Sequence, residues 1–387
     1  MNKKSFGIGF LVGIIAAAIL AGGIVAGLYF AAPKATTVSE ASAKKMNLIE
    51  QLIDAYYYGK IDKNNMVEGT YKGIVEGLDD PYSEYFTKKE FDQHKEENSG
   101  KYVGIGALVT QDDKTGVITV VKTFDGSPAK KAGIKKGDVV AQVEGKEVTG
   151  QELTKVVAKI KGKENTKVKV KIIDPKTTKH KVYTLVRKPV DSPSVESKMV
   201  DKKKKIGYIA ISEFDENTAA QFEEHLAKLK KQKVKGIIFD LRYNPGGMYK
   251  TVCQMLDDIL PEGTIVFTKD KNGNREEEKS DAKCLKLPMV VLQNNGSASA
   301  SEIFAGAVQD FKAGTIVGTQ SYGKGVVQNT YPFTDGSALK ITVKKYFTPK
   351  GRNINGKGIT PDVKVENNKN TDKQFNAAKE ILIKKIK

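Results

Sequence analysis

From Ser5 to Ala32 the chain carries no charged residue, and Ile, Leu, Ala, Gly and Phe dominate this stretch. A membrane-spanning helix needs about 20 apolar residues, whereas the apolar part of a secretory leader runs to about 7–15. The length predicts one transmembrane helix over residues 6–32, although the small Ala31 and Ala32 leave cleavage open. Lys3 and Lys4 precede the stretch, and a basic flank belongs on the cytoplasmic side, which sends the rest of the chain outside. The expected location is the cell membrane, single-pass, with an extracytoplasmic bulk; a cleaved leader would make the protein secreted. Gly9-x-x-x-Gly13 and Gly23-x-x-x-Gly27 would let two such helices pack closely, a weak hint of a homodimer.

Beyond this segment the hydrophobic period changes three times. Residues 33–45 read as a linker of small and hydroxylated residues. Over 46–97 apolar residues recur at helical spacing: Leu48/Ile49, Leu52/Ile53 and Tyr56/Tyr57, then Met66/Val67, Tyr71, Ile74/Val75 and Leu78, before Pro81 stops the second helix. Over 98–188 short β-runs take over. Lys167–Ile173 alternates Lys with Val and Ile, and short helices are expected at Pro128–Ala132 and Gln151–Lys161. From 189 to 366 the pattern is α/β. Ile206–Ser212 and Gly236–Leu241 are apolar runs bounded by turn residues, as buried strands should be, and Pro288–Leu292 reads as a further strand. Ala298–Lys312 followed by Thr315–Gly318 completes a β-α-β crossover. Residues 367–387 read as a helical tail.

The formal net charge is +18, yet only four of the 64 basic residues are Arg. Without Arg forks or a recognisable motif, no nucleic-acid partner is expected; a basic surface facing anionic envelope polymers or lipid headgroups accounts for the charge. His94, His180 and His225 lack metal-ligand spacing, and no metal or cofactor is expected. Cys253 and Cys284 could pair or stay free; spacing does not decide.

Chemistry concentrates in three segments. Asn295–Glu302 (N-G-S-A-S-A-S-E) lies between a strand and a helix, where the first helical N–H groups point outward and the dipole favours an anion. A serine there is either a nucleophile or, through Ser299-Ala300-Ser301-Glu302, an ordinary capping box. Lys324, between Gly323 and Gly325, follows the next parallel strand, and the crossover sets the two loops at one sheet edge. A dehydrated lysine can serve as a base; a solvated surface lysine is the plain alternative. Asp240–Gly247 (D-L-R-Y-N-P-G-G) ends a buried strand with a glycine pair whose amides could bind a carbonyl oxygen.

Together, in order and spacing, Asp240–Gly247, Gly296–Asp310 and Tyr322–Gln328 resemble the carboxyl-terminal processing peptidases, also called tail-specific proteases. Leu78–Tyr85 (L-D-D-P-Y-S-E-Y) is similar to that family's N-terminal motif with one added Asp, and Tyr102–Gly106 and Ser127–Asp138 resemble PDZ segments. The resemblance implies an α/β protease core with an inserted α+β PDZ domain, a helical N-terminal domain and one N-terminal transmembrane helix. It implies Ser299 as nucleophile, Lys324 as general base and Gln328 as support for Lys324. The oxyanion hole would be the amide of Ala300 with that of Gly246 or Gly247. Tyr102, Val103, Gly104, Ile105 and Gly106 would bind the free C-terminus of a protein or peptide substrate. The implied activity is that of a serine endopeptidase acting on extracytoplasmic proteins recognised by their C-terminal tails, with PDZ-regulated access. An inactive PDZ adaptor or scaffold of the envelope is the rival reading. One departure stands out: Ile160-Lys161-Gly162 carries Lys where relatives carry Arg in an I-R-G turn, and if that Arg carries a peptide-sensing signal, Lys161 lacks its bidentate fork.

Overall fold

The computed structural model describes residues 39–368 and 370–386. The expected transmembrane helix at 6–32 lies outside the described residues. Among the described residues, no helix is long and apolar enough to cross a membrane. The chain divides into two compact units, one up to Thr70 and one from Tyr71.

In the first unit, helix Glu40–Tyr56 begins inside the stretch expected as a linker, because Ser39 caps it by accepting the Ser42 amide at 3.1 Å. None of its residues is buried, and Leu48, Ile49 and Leu52 are all exposed.

The second unit is built on a six-stranded sheet in the order Val195–Asp201, Ile206–Ile211, Gly236–Asp240, Met289–Gln293, Gly314–Gly318, Val363–Lys364. The first pair is antiparallel and the others are parallel, with Ile237 beside Met289 and Val291 beside Ile316. Strands Gly236–Asp240 and Met289–Gln293 are buried at every position, which is why their sequences run apolar without alternation. One face carries helices Thr218–Lys231, Tyr249–Asp257 and Ala300–Asp310, closed by Phe222, Phe239 and Phe304. Helix Lys373–Lys385 covers the other through Ala378 and Leu382, so the expected tail helix is a layer of the core.

A second sheet joins Glu84–Phe86, Ala338–Phe347, Gly263–Asp270 and Arg275–Ser280, with Val326–Pro332 also paired to Ala338–Phe347. Tyr85 lies opposite Leu339, so the segment after the N-terminal helices is a strand of the core. The span expected as a helical domain, 46–97, thus also contains a strand, followed by helix Lys88–Asn98, whose capping box is made by Thr87 and Glu90.

The inserted domain is an antiparallel sheet in the order Ala107–Gln111, Ile118–Thr123, Val139–Val143, Lys167–Ile173, His180–Val186. Helices Pro128–Lys131 and Leu153–Ile160 accompany it. Val168, Val170 and Ile172 point inward as their alternation requires. Lys101–Gly104 pairs with Lys188–Asp191, tying the two ends of the insertion together. Cys253 is buried and Cys284 partly so; both are free thiols.

Candidate active site

The three serines of Ser297-Ala298-Ser299-Ala300-Ser301 do different things. Ser297 is buried and donates to the Leu241 carbonyl at 2.8 Å, and Ser301 is buried and donates to the Asn244 carbonyl at 2.9 Å. They fasten the strand-to-helix turn to the end of the neighbouring strand. Ser299 is half-buried and lines a cavity of about 300 Å³. Its φ of 55° and ψ of −114° lie where a residue with a side chain is strained, at a cost of about 1–3 kcal/mol. The Glu302 amide goes to the Ser299 carbonyl oxygen at 2.8 Å, and no cap hydrogen bond of ordinary geometry holds the hydroxyl. The capping box anticipated from S-x-x-E therefore works mainly through its glutamate.

Glu302 is the hub of the site. Its Oε2 accepts the Ser299 amide at 2.8 Å and the Lys324 amide at 2.8 Å, while its Oε1 accepts the Gly323 amide and the Ser321 hydroxyl, each at 2.6 Å. Burial pushes its carboxyl up, and these four donors work in the opposite direction. Tyr346 adds a second link, donating from its hydroxyl toward the carbonyls of both Ser299 and Lys324.

Lys324 lines the same cavity as Ser299. Gly325 lets its loop lie against residues 353–358, since a Cβ there would come within 2.5 Å of the Asn355 nitrogen. Burial lowers the Lys324 ammonium below the ordinary lysine range, Lys340 lowers it further, and Asp80 opposes both. Its Nζ stands over the ring of Tyr82, 4.7 Å from the centroid. No hydrogen bond joins Ser299 Oγ to Lys324 Nζ among the described residues. Gln328 lines the cavity too, but its amide nitrogen donates to Thr342 Oγ1 at 3.0 Å and not to the lysine.

The glycine pair separates into two roles. Gly246 is buried and its amide donates to Asn244 Oδ1 at 2.8 Å. Gly247 is exposed and lines the cavity; among the described hydrogen bonds neither its amide nor that of Ala300 has an acceptor. His94 and Asn98, from helix Lys88–Asn98, also line the cavity. Sequence reasoning missed Glu302, Tyr82, His94 and Tyr346 as parts of this site. Only the position of Glu302, three residues after Ser299, carried a local signal.

Of the PDZ residues, Tyr102 and Ile105 line an apolar groove of about 280 Å³ between strand Ala107–Gln111 and helix Leu153–Ile160. Gly104 and Gly106 carry no side chain into it, and the Val103 carbonyl accepts the Gly162 amide at 3.2 Å. Lys161 stands at the groove, 5.1 Å above the Tyr102 ring, and pairs with Glu96 at 2.8 Å. A larger crevice, about 860 Å³, lies between Phe124 and Arg242, but neither Ser299 nor Lys324 reaches it.

An α/β core that presents a strained serine at a helix start, in one cavity with a half-buried lysine and unspent amides, is the frame of a serine hydrolase. The profile of peptidase family S41 matches residues 205–365, that of the PDZ domain residues 118–174, and that of the activating protease CtpB N-terminal domain residues 30–90. A relative from Staphylococcus epidermidis, named "Probable CtpA-like serine protease", is 37% identical over 84% of this chain and 66% of its own. One of the same name from Staphylococcus aureus is 36% identical over 84% and 65%. The chain thus spans about two thirds of the length of these relatives. A solved structure assigned to S41 from Bacteroides fragilis has the same fold, with a TM-score of 0.53 at 17% identity over 84% of this chain and 90% of its own. The chain belongs to peptidase family S41 and carries a PDZ domain.

Proposed function

We propose that this chain is a serine endopeptidase that cleaves extracytoplasmic proteins recognised by their C-terminal tails, with Ser299 as nucleophile and Lys324 as base. The observation that carries the reading is the single carboxylate oxygen of Glu302 that binds the amides of both residues. Neutral Lys324 takes the Ser299 proton, and Ser299 Oγ attacks the scissile carbonyl. The oxyanion is received by the amides of Ala300 and Gly247, since Gly246 is committed to Asn244. The leaving amine departs with a proton from Lys324, and water then hydrolyses the acyl-enzyme. Gln328, now on Thr342, would turn to Lys324 when substrate fills the cavity.

The PDZ groove would take a substrate C-terminus as an added strand beside Ala107–Gln111, with its apolar lining selecting an apolar last residue. The uncharged stretch before residue 33 supports a membrane anchor that leaves the catalytic part outside the cytoplasm, and its spaced glycines support pairing of two copies. Cleavage of a fluorogenic peptide by the purified full chain in detergent tests the activity. Ser299→Ala and Lys324→Arg should both abolish it while the fold is retained, because Arg does not release its proton near neutrality. Undiminished cleavage by either variant would overturn the assignment of these two residues, whereas no cleavage by the wild-type chain would favour the inactive PDZ adaptor.

A further inference from the structure

The side chain closest in kind to a ligand for Lys324 comes from the far end of the sequence. Tyr82 sits in the turn Asp80-Pro81-Tyr82-Ser83, and Lys324 Nζ lies 4.7 Å above its ring centroid. The turn is held firmly: Asp80 accepts the Tyr82 amide at 3.2 Å and the Ser83 hydroxyl at 2.5 Å. Ser83 Oγ accepts the Thr342 amide at 3.1 Å, and Tyr85 pairs with Leu339 in the sheet beyond. Thr342 is also the residue that holds Gln328, so one strand carries both the turn and the glutamine. The ring is therefore fixed over the amine by backbone pairing and does not rest on it by chance.

We propose that Tyr82 is a positioning residue for Lys324, its ring face holding the amine in the cavity and stabilising the ammonium that forms when Lys324 accepts the Ser299 proton. The negative face of an aromatic ring attracts a cation, most strongly where water is excluded. Because the ammonium exists only after proton transfer, the contact favours the transition state over the neutral ground state. The inference rests on the reading of Lys324 as base.

The other charged and titratable groups around Lys324 are accounted for. Lys340 on strand Ala338–Phe347 opposes the ammonium, Asp80 favours it, and Glu302 is spent on the Lys324 amide. Tyr322 belongs to the same loop and contacts Tyr82. His94, Tyr249 and Tyr346 line the cavity.

The test is the pH profile of kcat/KM for a fluorogenic peptide, measured on the full chain in detergent micelles. Removing the ring makes the ammonium harder to form, so Tyr82→Leu should move the acid limb to lower pH by about half a unit or more. The same change should lower the plateau by a few-fold to about thirtyfold. Tyr82→Phe keeps the ring face and the position of the limb. Pentafluorophenylalanine at position 82 keeps the ring's shape, reverses its quadrupole and should follow Leu, which covers the case that Tyr82→Leu fails to fold. A plateau that falls while all acid limbs superimpose, with Lys324→Met inactive, means a merely structural Tyr82 and overturns the proposal alone. A shift that vanishes in a His94→Gln background assigns the limb to His94 and also overturns it. Activity retained by Lys324→Met would remove the base assignment and this proposal with it.

Discussion

The Oε2 atom of Glu302 accepts the backbone amide of Lys324 at 2.8 Å, and the same atom accepts the amide of Ser299 at 2.8 Å. Two loops that enter the sheet edge from different crossovers are thereby held by one oxygen. Glu302→Gln replaces one acceptor oxygen by an NH₂ that must face an N–H donor. The expected cost is about 1–3 kcal/mol of stability, read by urea unfolding. Turnover should fall by about a hundredfold, because a displacement of the order of 1 Å at the reacting groups suffices for that. Wild-type kcat in this variant would mean that the shared oxygen does not set the geometry.

The half-buried amine of Lys324 makes stability depend on pH in a defined direction. Burial lowers Lys324 below the ordinary lysine value, so between its folded value and the ordinary one the unfolded chain binds the extra proton. Stability contributed at this site therefore rises as pH climbs through that window. Lys324→Met, which removes the titrating group, should be more stable than wild type near neutrality, and the difference should shrink toward pH 10. Urea unfolding of both proteins across that range checks the sign; a difference that grows with pH would contradict it.

Much of the core was readable because burial on both faces leaves a plain mark. Gly236–Asp240 and Met289–Gln293 are apolar up to one polar residue at the end of each, Asp240 and Gln293, and the helix after the second strand starts within the run of small residues, at Ala300. Strand Arg275–Ser280 reads R-E-E-E-K-S and escaped notice, since neither a period of two nor an apolar run marks it. Helix Tyr249–Asp257 stands where a strand-to-helix turn ending at Gly247 leads one to expect it. At the site, local reading left Ser299 as a cap and Lys324 as one of many lysines; resemblance alone singled them out. Tyr82 and Lys324 meet because Glu84–Phe86 pairs with Ala338–Lys340, a long-range register that no local pattern encodes. That the Gly246 amide is taken by the Asn244 side-chain oxygen was likewise not visible in the sequence.

The PDZ domain is inserted between the strand Glu84–Phe86 and the main sheet, and the proposed function expects a peptide seated in its groove to bias access to Ser299. A peptide with a free apolar C-terminus, added in trans, should change cleavage of an unrelated reporter by roughly 5–150-fold, the range of a typical coupling free energy. The same peptide amidated at its C-terminus should do nothing. If the free-acid peptide binds and the reporter is unaffected, the domain tethers substrate and does not gate the site.

The central claim is that Ser299 is acylated with Lys324 as its base, and trapping the acyl-enzyme tests it most directly. The full chain, incubated with an activated peptide ester, quenched in acid, digested and weighed by mass spectrometry, should carry the acyl group on Ser299. The adduct should be absent from Ser299→Ala and should fail to accumulate in Lys324→Met at neutral pH. An adduct on another residue, or acylation of Lys324→Met at the wild-type rate, would contradict the account.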